Sequence, residues 1–286
     1  MRRTVLAGIG IVAMGVIAFL SVEASSRIPE MAANGLLHPM RRTVFQRIPD
    51  NCETATFAGA GVALKGWRCR GGERPRGTII YLHGVADNRG TASNVIRRYT
   101  ARGFDVIAYD SRAHGDSEGS VCTYGYFEKE DVRRIVDLIE HGPIVLIGHS
   151  LGAAVAIQAA AGDQRIATAV AAETFSDLRT IARERAWFLT DNVIARAFLV
   201  AEQSGRFAVD AVSPEQAARK MRAPVLLIHG TDDRETPASH SQRVMSALAG
   251  PKRLILVEGA GHNESLRQET IWTEIDRWIE DAVSPH

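Results

Sequence analysis

The chain of 286 residues has no block of like charge, no internal repeat and no low-complexity tract; 34 Lys and Arg against 33 Asp and Glu leave a formal net charge of +1. So balanced a surface offers no basic field to a polyanion, which sets nucleic-acid binding aside. The 45% apolar content belongs to a chain with a real core and excludes wholesale disorder. No histidine pair has the spacing that places two rings on one helix face toward zinc. No glycine-rich loop opens a helix as a phosphate or dinucleotide cradle would. Neither a metal nor a cofactor is therefore expected, and no obligate protein partner is evident.

Cysteine is scarce, at three residues. If Gly59-Ala60-Gly61 turns a hairpin, counting back from it brings Cys52 almost opposite Cys69. The two are then either a cross-strand disulfide, which an oxidising compartment permits, or two half-buried thiols. Cys122 has no nearby base and reads as a packing residue.

Charge is also missing locally. After Arg2 and Arg3, no charged residue occurs from Thr4 to Val22, a run that spans roughly 28 Å at helical rise. Residues 1–24 therefore read as a membrane anchor with its arginines on the cytoplasmic side, or as a signal segment cut after Val22-Glu23-Ala24. The first reading leaves the remaining chain anchored on the non-cytoplasmic side, and the second leaves it secreted or periplasmic. A polar, proline-containing linker over 25–42 follows.

From residue 43 the pattern is that of an α/β protein. Short β-type runs at Thr43 to Arg47, Glu53 to Phe57 and Val62 to Arg70 read as an antiparallel entry to a sheet. Beyond them, apolar runs begin at Thr78, Asp105, Ile144, Ile166, Val225 and Leu254. Helical patterns over Ala92 to Ala101, Phe127 to Glu140, Leu151 to Ala161, Ser239 to Leu248 and Leu266 to Glu280 are interleaved with them. Unbroken apolar strands are covered on both faces, so strand then helix in repetition means a mostly parallel, doubly wound sheet. One interval, about 174–222, is too long for a single crossover and reads as a helical cap inserted over the strands' C-terminal edge. Its Trp187, Phe188, Leu189, Phe198, Leu199 and Phe207 either line an apolar substrate pocket or attach the insertion to the core.

The motif with the most chemistry in it is Gly148-His149-Ser150-Leu151-Gly152, between an apolar strand and a helix of small residues. A sharp strand-to-helix turn strains the serine, needs glycines around it, and exposes Oγ at the sheet edge beside a helix N-terminus. Serine is a poor nucleophile without a base, and the base needs an acid to hold its tautomer. The loop after Val225 to Ile228 offers Asp232 and Asp233; the loop after Leu254 to Val257 ends in Gly261-His262. Of nine histidines, His262 alone occupies such a place. Histidines 38, 141, 240 and 286 fall in termini, helix ends or surface, His83 and His229 end strands, and His149 adjoins the serine but faces elsewhere.

Taken together, His83-Gly84, Asp110-Ser-Arg-Ala-His-Gly-Asp-Ser117, Gly148 to Gly152, His229-Gly-x-x-Asp233-x-x-x-Pro237 and Gly261-His262 resemble the α/β-hydrolase family. The similarity is greatest to small single-domain esterase-like members with an N-terminal membrane segment, and it covers nearly everything after about residue 43. The resemblance implies Asp233 rather than Asp232 as the acid, because the family's aspartate stands four residues after the His of the His-Gly pair. It also implies an oxyanion hole built from the backbone N–H groups of Leu151 and Val85. Two features depart from the pattern. Ala113 stands where glycine is common, and there is no H-G-G-G run.

The expectation is a 43–286 α/β-hydrolase domain that cleaves a carboxylic ester or thioester through an acyl-enzyme on Ser150, with His262 as base and Asp233 as orienting acid. The favoured substrate is a small-molecule or lipid-like compound with a hydrophobic acyl group. A serine peptidase of the same superfamily and a non-catalytic, membrane-tethered binding protein are the alternatives.

Overall fold

The computed structural model describes residues 27–284. The expected anchor or signal segment, 1–24, lies outside them, and no helix among the described residues is long and apolar enough to cross a membrane.

Eight strands form one sheet: β1 (Cys52–Ala58), β2 (Ala63–Cys69), β3 (Thr78–Leu82), β4 (Asp105–Tyr109), β5 (Ile144–His149), β6 (Ile166–Ala172), β7 (Val225–Gly230) and β8 (Lys252–Val257). Their order is β1-β2-β4-β3-β5-β6-β7-β8. The β1–β2 hairpin joins antiparallel to β4, and every other pairing is parallel. Strands beginning at Thr78, Asp105, Ile144 and Ile166 start where the apolar runs do. The run Thr43 to Arg47 is the exception, since it forms no strand. A side chain engages the backbone where it begins: Asn88 Nδ2 donates to Thr43 O at 3.3 Å and to Arg42 O, just before the run, at 3.1 Å.

The period of two in the central strands sorts their side chains onto two faces. Ile80, Leu82, Leu146 and Leu227 pack beneath helices α3 (Glu128–Val136), α4 (Leu151–Ala160) and α8 (Ser239–Ala247). Ile79, Tyr81, Val145, Ile147 and Leu226 pack against α2 (Ser93–Thr100) and α9 (Glu269–Val283). In α9, Ile271, Ile275 and Ile279 recur at i, i+4 and i+8 and make one buried stripe with Trp272. Helix α4 is buried all round, as its run of small residues requires between the sheet and its neighbours.

Between β6 and β7 lie α5 (Leu178–Arg185), α6 (Asp191–Gly205) and the short α7 (Pro214–Ala218). Residues 27–37, within the expected linker, form helix α1. It buries Ala33 and Leu37 in a third cluster with Phe175, Phe198 and Phe207, so apolar residues in a polar stretch tie it to the cap. Phe198 and Phe207 thus attach the insertion, while Trp187, Phe188 and Leu199 are exposed.

Cys52 and Cys69 face each other in the β1–β2 register and are joined by a disulfide; Cys122 is fully buried in the core. The bridge closes a loop with a sequence separation of 17, which in the chain-entropy account stabilises by about 3 kcal/mol. The double variant Cys52→Ser/Cys69→Ser is expected to unfold in urea with a free energy lower by about that amount. An unchanged midpoint would mean that the hairpin closes the loop without the bond.

Candidate active site

Strand order reverses where β3 lies between β4 and β5, and in such sheets the crevice beyond the strands' C-terminal ends is where ligands bind. Ser150 sits there, directly after β5, with φ 51° and ψ −114°. A non-glycine residue held in that region costs about 1–3 kcal/mol and persists only where its surroundings impose it. Here they do. A Cβ on Gly148 would drive into the Gly152 carbonyl, and one on Gly152 into the carbonyl of Leu82 on β3. The glycines let α4 start hard against the sheet, and Ser150 N–H donates to Ala172 O at 2.8 Å.

A chain of hydrogen bonds begins at this serine. Ser150 Oγ lies 3.1 Å from His262 Nε2, and His262 Nδ1–H donates to Asp233 Oδ2 at 2.7 Å. The other oxygen, Asp233 Oδ1, accepts from the amides of Glu235 at 2.9 Å and Thr236 at 2.8 Å. His229 Nε2 stands 3.3 Å from Oδ2 and donates to Thr236 O at 2.6 Å. Burial works against ionising Asp233, but the hydrogen bonds from His229, His262 and Thr236 outweigh it and hold the carboxyl well below its usual range. Burial likewise works against charging His262, yet the Asp233 hydrogen bond, followed by the charges of Asp233, Glu173 and Glu235, raises its pKa above the ordinary value. Asp232, the other candidate, is exposed.

A model of the alpha/beta hydrolase family matches residues 79–270. This chain belongs to that family. Relatives include the uncharacterized protein YqkD of Bacillus subtilis, 32% identical over 217 residues that make up 71% of this chain and 70% of YqkD. Another is the uncharacterized protein YfhR of Escherichia coli O157:H7, 28% identical over 275 residues, 90% of each chain. Among solved structures, the Pyrococcus furiosus esterase Pf2001 superposes with a TM-score of 0.71 at 23% identity, covering 87% of this chain and 99% of that one. At that identity the likeness is one of fold.

Several residues of the motifs that this family member carries brace its loops. His83 is fully buried; its Nδ1–H donates to Gly84 O at 2.8 Å and its Nε2 accepts from Ser111 N at 2.9 Å. Burial pushes its pKa down to about 3, so it stays neutral and ties the loop after β3 to the loop after β4. Asp110 is paired with Arg89 and accepts from Asp116 N at 2.9 Å. Ala113 takes φ 61°, the left-handed conformation that favours glycine. Among the described residues, neither the Val85 nor the Leu151 amide has a protein acceptor.

His240 stands at a helix end, in the first turn of α8, and is fully buried there. It accepts from Ser176 N at 3.1 Å on Nδ1 and meets Glu184 at 2.8 Å through Nε2, which fastens α8 to the cap. His149 faces the site instead of away from it, with its ring centroid 5.6 Å from that of His262 and its Nε2–H donating to Glu173 Oε2 at 2.8 Å.

Glu173 itself was not singled out from the sequence, although a lone acid directly after the apolar run of β6, next to the strand that carries the serine, was a readable signal. It is 1% exposed and takes φ 58°. Its Oε2 also accepts from Asn263 N at 2.6 Å, and its Oε1 from Ser265 Oγ at 2.6 Å and Ser265 N at 3.3 Å. His149, Glu173 and His262 offer ligand atoms within 4.8 Å of one another, the chemistry of a metal site. Both Glu173 oxygens and His262 Nδ1 are, however, committed to hydrogen bonds inside the protein, so this donor set fits the network better than an ion.

Around these groups lies an open cleft of about 520 Å³, bounded among others by Arg42, Tyr81, Val85, Asp87, Glu235 and Leu266. None of the cap's aromatic residues bounds it. An apolar cavity of about 240 Å³ between α1, α5 and α6, lined by Leu36, Leu189, Ile194 and Phe198, shares no residue with it.

Burial opposes ionisation of Glu173, but the hydrogen bond and charge of His149, with the Ser265 and Asn263 donors, pull its pKa from 4.5 down to about 2. A carboxyl depressed on folding adds stability above its unfolded pKa and loses it as pH falls through the folded one. Stability is therefore expected to drop by about 3 kcal/mol as pH falls from 4.5 toward 2. Chemical denaturation of wild type and Glu173→Gln across that window checks it: the variant's slope is to be shallower, and parallel slopes would contradict the assignment.

Proposed function

We propose that the chain is a serine hydrolase that cleaves a carboxylic ester or thioester of a small-molecule substrate through an acyl-enzyme on Ser150. The observation that carries this reading is the continuous hydrogen-bonded line from Ser150 Oγ through His262 to Asp233 at the mouth of an open cleft. Family membership and the shared fold with an esterase favour it further.

In the reaction, His262 Nε2 takes the Ser150 proton as Oγ attacks the acyl carbon, and the carbonyl electrons move onto oxygen. The amides of Leu151 and Val85, together with the N-terminus of α4, receive that oxyanion. Collapse re-forms the carbonyl and expels the alcohol or thiol, which leaves with the proton from His262. Water then attacks the acyl-enzyme by the same route in reverse, giving the acid and free Ser150. Asp233 keeps Nδ1 protonated and stabilises the imidazolium.

The cleft bears on the substrate. Its apolar contacts are few, chiefly Val85, Leu266 and the Tyr81 ring, with Arg42, Asp87 and Glu235 beside them. This favours a short acyl group over the hydrophobic, lipid-like one that the cap's aromatics suggested. The charge-free run Thr4 to Val22 supports a place of work on or beyond the outer face of the cytoplasmic membrane.

A fluorophosphonate probe is expected to label the wild-type protein and leave Ser150→Ala unlabelled, with kcat/KM on p-nitrophenyl esters highest at acetate or butyrate. A well-folded wild type that resists the probe would remove the enzyme reading and favour a tethered binding protein. Because His262 must be neutral to accept the proton and its pKa is raised above 6.5, kcat/KM is expected to climb as pH rises through a value above 6.5. An acid limb centred at or below that point would contradict the role given to His262.

A further inference from the structure

Behind His262, a single carboxylate receives donors from the end of one strand and from the loop after another. Glu173 follows β6. It receives His149 Nε2–H from the end of β5, next to Ser150, at 2.8 Å. It also receives Asn263 N at 2.6 Å and both Ser265 donors from the loop after β8. Its own N–H donates to Ile228 O of β7 at 2.8 Å. The same Oε2 lies 3.7 Å from His262 Nδ1, on the edge of the ring that also meets Asp233.

A fully buried acid with four donors is an expensive thing to place in a core unless its charge is used or its partners need it. Its backbone is held at φ 58° and that of Asn263 at φ 67°. Left-handed conformations at two non-glycine residues meeting in one hydrogen bond mark a junction that the surrounding structure imposes.

We propose that Glu173 is a positioning residue for the reaction: its carboxylate clamps the His262 loop against the Ser150 turn and sets a second negative charge beside the His262 imidazole. This rests on the reading of His262 as the base. When the base takes the serine proton, the imidazolium then faces two carboxylates, Asp233 in direct hydrogen bond and Glu173 at 3.7 Å. The clamp acts from the serine side too, because His149 and Ser150 are neighbours on the turn. Four charged or titratable groups from three other elements face the base: Glu173 after β6, Asp233 and Glu235 after β7, and His149 at the end of β5. Of these, Asp233 and Glu173 have carboxylate oxygens within 4 Å of the imidazole.

The test is Glu173→Gln in the full chain, which keeps the shape and removes the charge. The His262 pKa is read by NMR of 15N-labelled histidine, assigned with His262→Gln, and kcat/KM for p-nitrophenyl acetate is followed against pH. The expected result is a His262 pKa lower by roughly 1 unit, the acid limb of kcat/KM moved down with it, and kcat reduced on the order of 10-fold or more. A His262 pKa that does not move overturns the proposal even if activity falls, since a merely structural glutamate would lower kcat alone. Wild-type protein that takes no fluorophosphonate would defeat the hydrolase reading, while the NMR shift would still report whether Glu173 acts on His262. Should Glu173→Gln not fold, Asp233→Asn leaves Glu173 as the one ionised carboxylate within 4 Å of the ring among the described residues. A His262 pKa in that variant at or above the ordinary 6.5 supports the proposal, and one below it overturns it.

Discussion

The molecule depends on how closely helix α4 approaches the strands at its N-terminus. Gly152 lies against the Leu82 carbonyl of β3, and Gly148 against Gly152 itself; any side chain at either position would push the helix off the sheet. With α4 seated, Ser150 has nowhere to go but the strained turn at φ 51°, and its Oγ stands above the sheet edge at the reversal of strand order. Two backbone contacts thereby convert an ordinary strand-helix connection into a presented hydroxyl. The all-round burial of α4 follows from the same constraint, since a helix pressed so tightly between layers can carry only small or apolar residues.

Around that turn the loops are arranged by polar groups in the core. His83 bridges the loops after β3 and β4, Asp233 gathers the two amides of its own loop and His262, and Glu173 links the turn to the loop after β8. Each is buried, and each has its hydrogen-bonding capacity met by specific partners, which is the condition for a polar group in a core to order its surroundings rather than weaken them. The depressed carboxyls of Asp233 and Glu173 keep two negative charges next to one imidazole, an arrangement suited to an imidazolium that forms and disappears during a proposed acyl transfer. A sheet rigid in its apolar layers holds these charges where solvent has little access to screen them.

The cap contributes less to the cleft than its composition suggests. Phe198 and Phe207 are consumed in anchoring it to α1 and to Phe175, His240 and Glu184 bind it to α8, and Trp187 and Phe188 stack edge to face in solvent. What remains around Ser150 is a polar cleft whose rim is supplied by loops from four strands.

Much of this was legible in the chain. Unbroken apolar runs, helices with apolar positions at helical spacing, and the strand-serine-helix setting of Gly148 to Gly152 depend on neighbours in sequence, so local pattern sufficed for the strands from Thr78 onward, the parallel sheet, and Ser150 and His262 as candidates, while the family was read from the resemblance of several motifs together. Choosing Asp233 over Asp232 took the spacing of a known family, because adjacent identical residues differ only in which way the loop turns them. The rest was decided by tertiary structure, where distance along the chain gives no guide. Thr43 to Arg47 has strand propensity but forms no strand, and Asn88 takes the Thr43 carbonyl at its start. His149 and His240 look incidental, but they meet Glu173 and Glu184 across 24 and 56 positions. Glu173 reads as the residue that merely ends a strand, and only packing shows four donors from two remote segments closing on its carboxylate. Sequence periodicity records which face a residue presents to its own element; the partners found on that face are set by how the elements come together.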